Sequence, residues 1–148
     1  MHAGETEGPP SIWSALKLGH AARIGHGVRC LEDAALAQYL RDQQTPLEVC
    51  PSSNACLCVV KDLASHPLPK LMAEGLYVTI NTDDPPMFNT TLNDEFIKIA
   101  QQFGFTKDDI RRFVLNALRA SLLSNARKSI LEKTFVEQFT QLEKERFS

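Results

Sequence analysis

Short apolar runs, each stopping at a cluster of reactive or turn-forming side chains, constrain this chain most. Ala22-Arg23-Ile24-Gly25 ends at His26-Gly27. Leu47-Glu48-Val49-Cys50 stops at Pro51-Ser52-Ser53-Asn54, and Leu76-Tyr77-Val78-Thr79-Ile80 stops at Asn81-Thr82-Asp83-Asp84-Pro85-Pro86. The last run, rich in β-branched and aromatic residues, is the best strand in the sequence. Helical stretches separate the runs. Pro9 to Leu18 opens with prolines suited to a first helical turn and carries Ile12, Trp13 and Leu16 at helical spacing. Leu31 to Arg41 sets Leu36, Tyr39 and Leu40 on one side, and His66 to Glu74 stops at Gly75.

Strands alternating with helices predict an α/β fold of parallel β/α units. Functional side chains at the C-terminal ends of strands suit a (β/α)8 TIM barrel, and they equally suit an open doubly wound sheet. The pattern does not choose between them. A whole barrel needs roughly 250 residues, whereas 148 residues here supply three strands and the stub of a fourth. The second half is helical. Asn93 to Phe103 ends at Gly104, and Thr106 with Asp109 three residues on forms a capping box. The stripe Ile110, Phe113, Val114, Ala117 and Leu118 follows, and a last helix carries Leu131, Phe135, Phe139 and Leu142.

A net charge of −2 gives no reason to expect nucleic acid or an anionic membrane as partner. No apolar run approaches the ~20 residues that span a bilayer, and the first ten residues lack the basic and apolar regions of a signal peptide. A cytoplasmic location is expected. Cys30, Cys50, Cys56 and Cys58 contain no C-x-x-C pair, which predicts free thiols in a reducing compartment.

Three segments carry chemistry. His2 and Glu5, three apart across small residues, can aim an imidazole and a carboxyl at one point, suited to metal ligation and general acid work. His26, between Gly25 and Gly27 at a strand end, has an accessible imidazole. Asp83 and Asp84 leave a buried strand side by side, and their mutual repulsion calls for a cation or hydrogen-bond donors. Pro51-Ser52-Ser53-Asn54 matches no nucleophile elbow and reads equally well as a turn. His20, at a helix end, and His66, before Pro67, read as structural.

Taken in order, His-Ala-Gly-Glu, Arg-Ile-Gly-His-Gly, Leu-Glu-Val-Cys-Pro-Ser-Ser-Asn and Asn-Thr-Asp-Asp-Pro closely resemble the adenosine deaminase family of zinc amidohydrolases. The likeness runs from His2 to about Asn125. It implies a (β/α)8 TIM barrel, with residues 1–148 as the C-terminal part of one deaminase domain followed by extra helices. It further implies His2 and Asp83 as zinc ligands and Glu5 as the acid that protonates purine N1. His26 would orient the zinc-bound hydroxide, Asp84 would contact N7, and Gly4 would offer a backbone contact to substrate. The reaction implied is zinc-dependent hydrolytic deamination of adenosine, or deoxyadenosine, to inosine and ammonia. Gly25 before His26 resembles adenosine deaminases, since adenine-specific relatives tend to carry Asp there. Aminofutalosine deaminases share most of the motifs, and a non-catalytic purine-binding chain is the alternative of another class. The His-x-His pair that completes the family's zinc site is absent. The resemblance therefore implies a chain lacking the first strands, with self-association through exposed barrel edges.

Overall fold

The computed structural model describes residues 1–147, and its centre is a sheet of four parallel strands: β1 (His2–Ala3), β2 (Ile24–His26), β3 (Leu47–Val49) and β4 (Val78–Ile80). The stub at the N-terminus is thus a paired strand, with His2 opposite Gly25 and Ala3 opposite His26. The strands lie in the order 1-2-3-4. Right-handed crossovers in a sheet whose order never reverses place their helices on one face, which is the winding of a barrel rather than of a doubly wound sheet.

The crossovers are α1 (Pro9–Lys17), α2 (Ala34–Gln43), and the pair α3 (Pro51–Cys56) and α4 (Leu68–Ala73). After β4 come α5 (Pro85–Phe88), α6 (Leu92–Phe103), α7 (Lys107–Ala120) and α8 (Asn125–Phe147). Helix α2 starts three residues later than its apolar spacing suggests. Asp33 takes the N-cap, accepting from the N–H groups of Ala35 and Leu36, and Cys30–Glu32 forms a 3-10 turn before it. Thr106 and Asp109 make the expected capping box, and Thr91 with Asp94 makes a second one on α6. Pro51-Ser52-Ser53-Asn54 is the start of a short helix rather than a turn, with Pro51 in its first turn.

Ile24, Leu47, Val49, Val78 and Ile80 turn one face of the sheet toward Ile12, Leu36, Leu40, Leu68, Leu71 and Phe113, all buried. Burying each such side chain contributes about 1.5–3 kcal/mol. All four cysteines are free thiols. Among the described residues no helix is long and apolar enough to cross a membrane.

The β4 edge is partly covered. Tyr77 C=O receives the Leu47 N–H, so Val78 turns its own backbone groups outward. Asn116 of α7 donates its amide to Val78 C=O at 2.9 Å, and Tyr77 Oη donates to Asn116 C=O at 3.0 Å. Helix α7 thereby satisfies an edge carbonyl that an open strand would expose.

Candidate active site

The register lines up His2, Gly25, Glu48 and Thr79 across the four strands. Side chains at paired positions share a face, so this row forms a polar layer opposite the apolar one. Glu48 pairs with Arg23 at 3.0 Å, and Arg23 also donates to Ala120 C=O at 3.1 Å, tying the end of α7 to the sheet. His2, His26, Glu48, Cys50, Asn81 and Asp83 line an open cavity of about 440 Å³ on this side. A groove of about 460 Å³ between α2 and α4 lies away from the strand ends, and its Arg41–Glu74 pair is exposed.

Strict alternation would send His26 to the helix face with Ile24. It does not go there, because His26 adopts φ +66°, in the left-handed region that non-glycine residues seldom occupy. Its ring lies 5.2 Å from that of His2, centroid to centroid. Asp83 is likewise left-handed, φ +59°. Both fall at or just past strand ends; His20, Gln44, Cys58 and Asn89 share this backbone region elsewhere, so the conformation alone does not single out a site. One donor atom from each of His2, His26 and Asp83 falls within 4.8 Å of the others. His26 Nε2 stands 3.5 Å from Glu5 Oε2 and 3.8 Å from Asp83 Oδ2. His26 is buried rather than accessible as its flanking glycines suggested, and burial pulls its pKa below the ordinary value, against the opposing pull of Glu5 and Asp83.

Glu5 reaches this point because Gly4 turns the chain at φ +66°, and a Cβ on Gly4 would meet Ile12 Cδ1 at 2.3 Å. The expected backbone contact from Gly4 to substrate has no free donor. Its N–H donates to Ser11 Oγ at 2.8 Å and its C=O accepts from Arg29 N–H at 3.1 Å. Both bonds hold the turn at Gly4. Asp84 is exposed and spends one oxygen capping α5, accepting from Met87 N–H at 3.1 Å.

Hydrogen bonds from Ser53, Asn54 and, through Asn54, His66 reach Asp83 and His26. Ser53 Oγ donates to Asp83 Oδ2 at 2.7 Å. Asn54, fully buried, bonds His26 Nδ1 through Nδ2 and His66 Nε2 through Oδ1, each at 3.2 Å. The signal was available: three polar residues directly after a buried strand must find polar partners.

The donor set fits a divalent cation such as zinc in kind, an imidazole with a carboxylate already oriented by a hydroxyl. Glu5 Oε1, buried and without a hydrogen-bond partner, adds an unsatisfied acceptor beside it. The family model for adenosine deaminase matches residues 1–137.

The chain belongs to the adenosine deaminase family.

An adenine deaminase from Rhizobium rhizogenes is 47% identical over 131 residues, 88% of this chain and 41% of that protein. An adenosine deaminase from Pseudoalteromonas translucida is 42% identical over 131 residues, again 88% of this chain and 39% of that protein. The crystal structure of an adenine deaminase from Arthrobacter aurescens superposes with a TM-score of 0.90 at 40% identity, over 94% of this chain and 42% of that one. An amidohydrolase from Burkholderia ambifaria crystallised with bound zinc shares the fold at TM-score 0.88 and 24% identity, over 97% of this chain and 40% of that one. The chain thus spans about two fifths of the length of these relatives. Its sheet is part of the deaminase TIM barrel, with helices α5–α8 following the last strand.

Proposed function

We propose that residues 1–148 form part of a single metal-dependent deaminase domain that hydrolyses the 6-amino group of a purine, converting adenosine to inosine and ammonia. The observation that carries this reading is the meeting of His2, Glu5, His26 and Asp83 at or beyond the ends of β1, β2 and β4, in a member of this family.

His2 and Asp83 would hold zinc. When bound, zinc supplies the Lewis acidity that yields a nucleophile from water at neutral pH. Glu5 donates a proton to ring N1, which makes C6 more electrophilic; its unpartnered Oε1 is free for that bond. His26 Nε2 faces the same point and orients the attacking oxygen. Asp84, with one oxygen held by Met87 N–H, offers the other to N7, a bond that needs one proton between two acceptors.

A second reading, the free base adenine as substrate, is favoured by the adenine deaminases at 47% and 40% identity. Gly25 favours the nucleoside, since it leaves the polar layer beside His2 without a side chain. The test is a chimera in which residues 1–137 replace the matching part of the Rhizobium enzyme, loaded with zinc and assayed for ammonia release. Adenosine preferred over adenine supports the first reading, and the reverse preference supports the second. A folded, zinc-loaded chimera inert toward both would overturn the deaminase proposal.

A further inference from the structure

We infer that His66 and Asn54 are positioning residues that fix, from a backbone amide outward, which nitrogen of His26 carries the proton. The role assigned to them in turnover rests on the deaminase reading; the hydrogen-bond order does not.

The argument starts at a donor that cannot be reversed. Leu68 N–H donates to His66 Nδ1 at 3.0 Å, so Nδ1 is an acceptor. His66 is buried, and burial lowers its pKa to about 4, which leaves the ring neutral with its one proton on Nε2. That N–H meets an Asn54 atom 3.2 Å away, which must then be the amide oxygen. The other end of the amide, the NH2, faces His26 Nδ1 at 3.2 Å and donates to it. His26 Nδ1 is thus an acceptor, and the ring's proton sits on Nε2, the nitrogen facing Glu5 and Asp83.

The reversed chain fails at its first link. Flipping Asn54 would need a His66 lone pair at Nε2 and a proton at Nδ1, setting two N–H groups against each other at Leu68. Asn54 is wholly buried, so water does not relieve that conflict. The consequence for the site is specific. His26 presents an N–H donor, suited to an oxygen lone pair, and it is not a third metal ligand despite its distance from His2 and Asp83.

Long-range proton–nitrogen correlation spectra of the 15N-histidine-labelled chain at neutral pH test this. His66 and His26 should both show the Nε2–H pattern. A His26 proton on Nδ1 in the unaltered chain would overturn the inference. Asn54→Asp puts acceptors against both rings, and His26 should then acquire a proton at Nδ1. His66→Gln keeps an N–H donor toward Asn54 and should preserve the His26 pattern, whereas His66→Leu should abolish it. In the chimera, Asn54→Asp should lower kcat by ~10²–10⁴-fold, the range for a misplaced proton on a working histidine, with KM little changed and His66→Gln close to the parent. An unshifted His26 spectrum in Asn54→Asp counts against the inference. A shifted spectrum with unaltered kcat removes the positioning role while leaving the deaminase reading intact.

Discussion

Ser53 Oγ donates to Asp83 Oδ2 at 2.7 Å, tying the first turn of α3 to the residue that leaves β4. The two lie on adjacent β/α units, so neither strand alone can orient this carboxylate. With Oδ2 held, Oδ1 is the oxygen left for a cation. Bonds of this kind to ligating carboxylates are worth about 10–100-fold in metal affinity. Ser53→Ala should weaken zinc binding by that factor, measured by competition with a chromogenic chelator, while the far-ultraviolet spectrum stays the same. Equal affinity in the two proteins would show that the Ser53 bond does not orient Asp83 for metal.

The number of ligands sets how tightly the chain alone holds metal. Catalytic zinc sites use three protein ligands plus an open position. His2 and Asp83 would be two, and on the tautomer inferred above His26 would turn an N–H toward the site. The 148-residue chain should therefore lose zinc on extensive dialysis, as read by atomic emission. One retained ion per chain would prove a third ligand, and His26 would be the first to examine.

Glu5→Gln keeps the shape of the side chain and removes its acidity. In the chimera kcat should fall by at least the ~10²–10⁴-fold of general acid catalysis. Asp84→Asn should also raise the Kd for a purine inhibitor if Asp84 contacts the base, as proposed, rather than the reacting carbon. Deamination by Glu5→Gln at the parent rate would remove Glu5 from its role.

Much of this was legible before the structure. The strand ends announced themselves because apolar runs broke at His26, Cys50 and Asn81, and His2, Glu5 and Asp83 stood where a barrel keeps its chemistry. The bonds of Ser53, Asn54 and His66 were not legible because their partners lie 12 to 30 residues away in the chain, and no local periodicity encodes such a bond. The turn at Gly4 was hidden for a related reason. Only the contact with Ile12 and the Ser11 hydroxyl reveals that its backbone is already engaged. The turn of His26 away from the helix face was equally hidden, since alternation assumes an extended backbone that φ +66° abandons.

His66 makes folding pH-dependent. Burial lowers its folded pKa to about 4, from 6.5 in the unfolded chain. Below pH 6.5 the unfolded chain takes up a proton that the folded chain refuses. Stability from this group is therefore full above pH 6.5, falls as the pH drops, and levels off near pH 4. The difference amounts to roughly 3 kcal/mol at 1.36 kcal/mol per pKa unit. His66→Gln should flatten the slope between pH 6.5 and 4.5 in urea unfolding. A slope unaltered by the substitution would assign acid sensitivity elsewhere.

Glu95 is a carboxylate with no solvent exposure, and its work is to hold α3 in place. Its Oε2 accepts from Ser52 N–H at 3.0 Å, and its Oε1 accepts from Thr90 Oγ1 at 2.6 Å. Lys98 Nζ balances the charge at 3.7 Å while donating to Ser52 Oγ and Thr90 Oγ1. Removing the carboxylate strands a buried N–H in the first turn of α3, one residue before Ser53 and two before Asn54. Breaking a buried pair costs about 3–5 kcal/mol, but the half-exposed Lys98 can turn to water. Glu95→Ala should therefore cost about 2–3 kcal/mol in urea unfolding. Glu95→Gln keeps one acceptor for two donors and should cost less, about 1–2 kcal/mol. Because α3 carries Ser53 and Asn54, the same order should appear in zinc affinity, with Ala weaker than Gln and Gln weaker than the parent. Stability lost without any change in zinc affinity would show that α3 holds its register on Asp83 without Glu95.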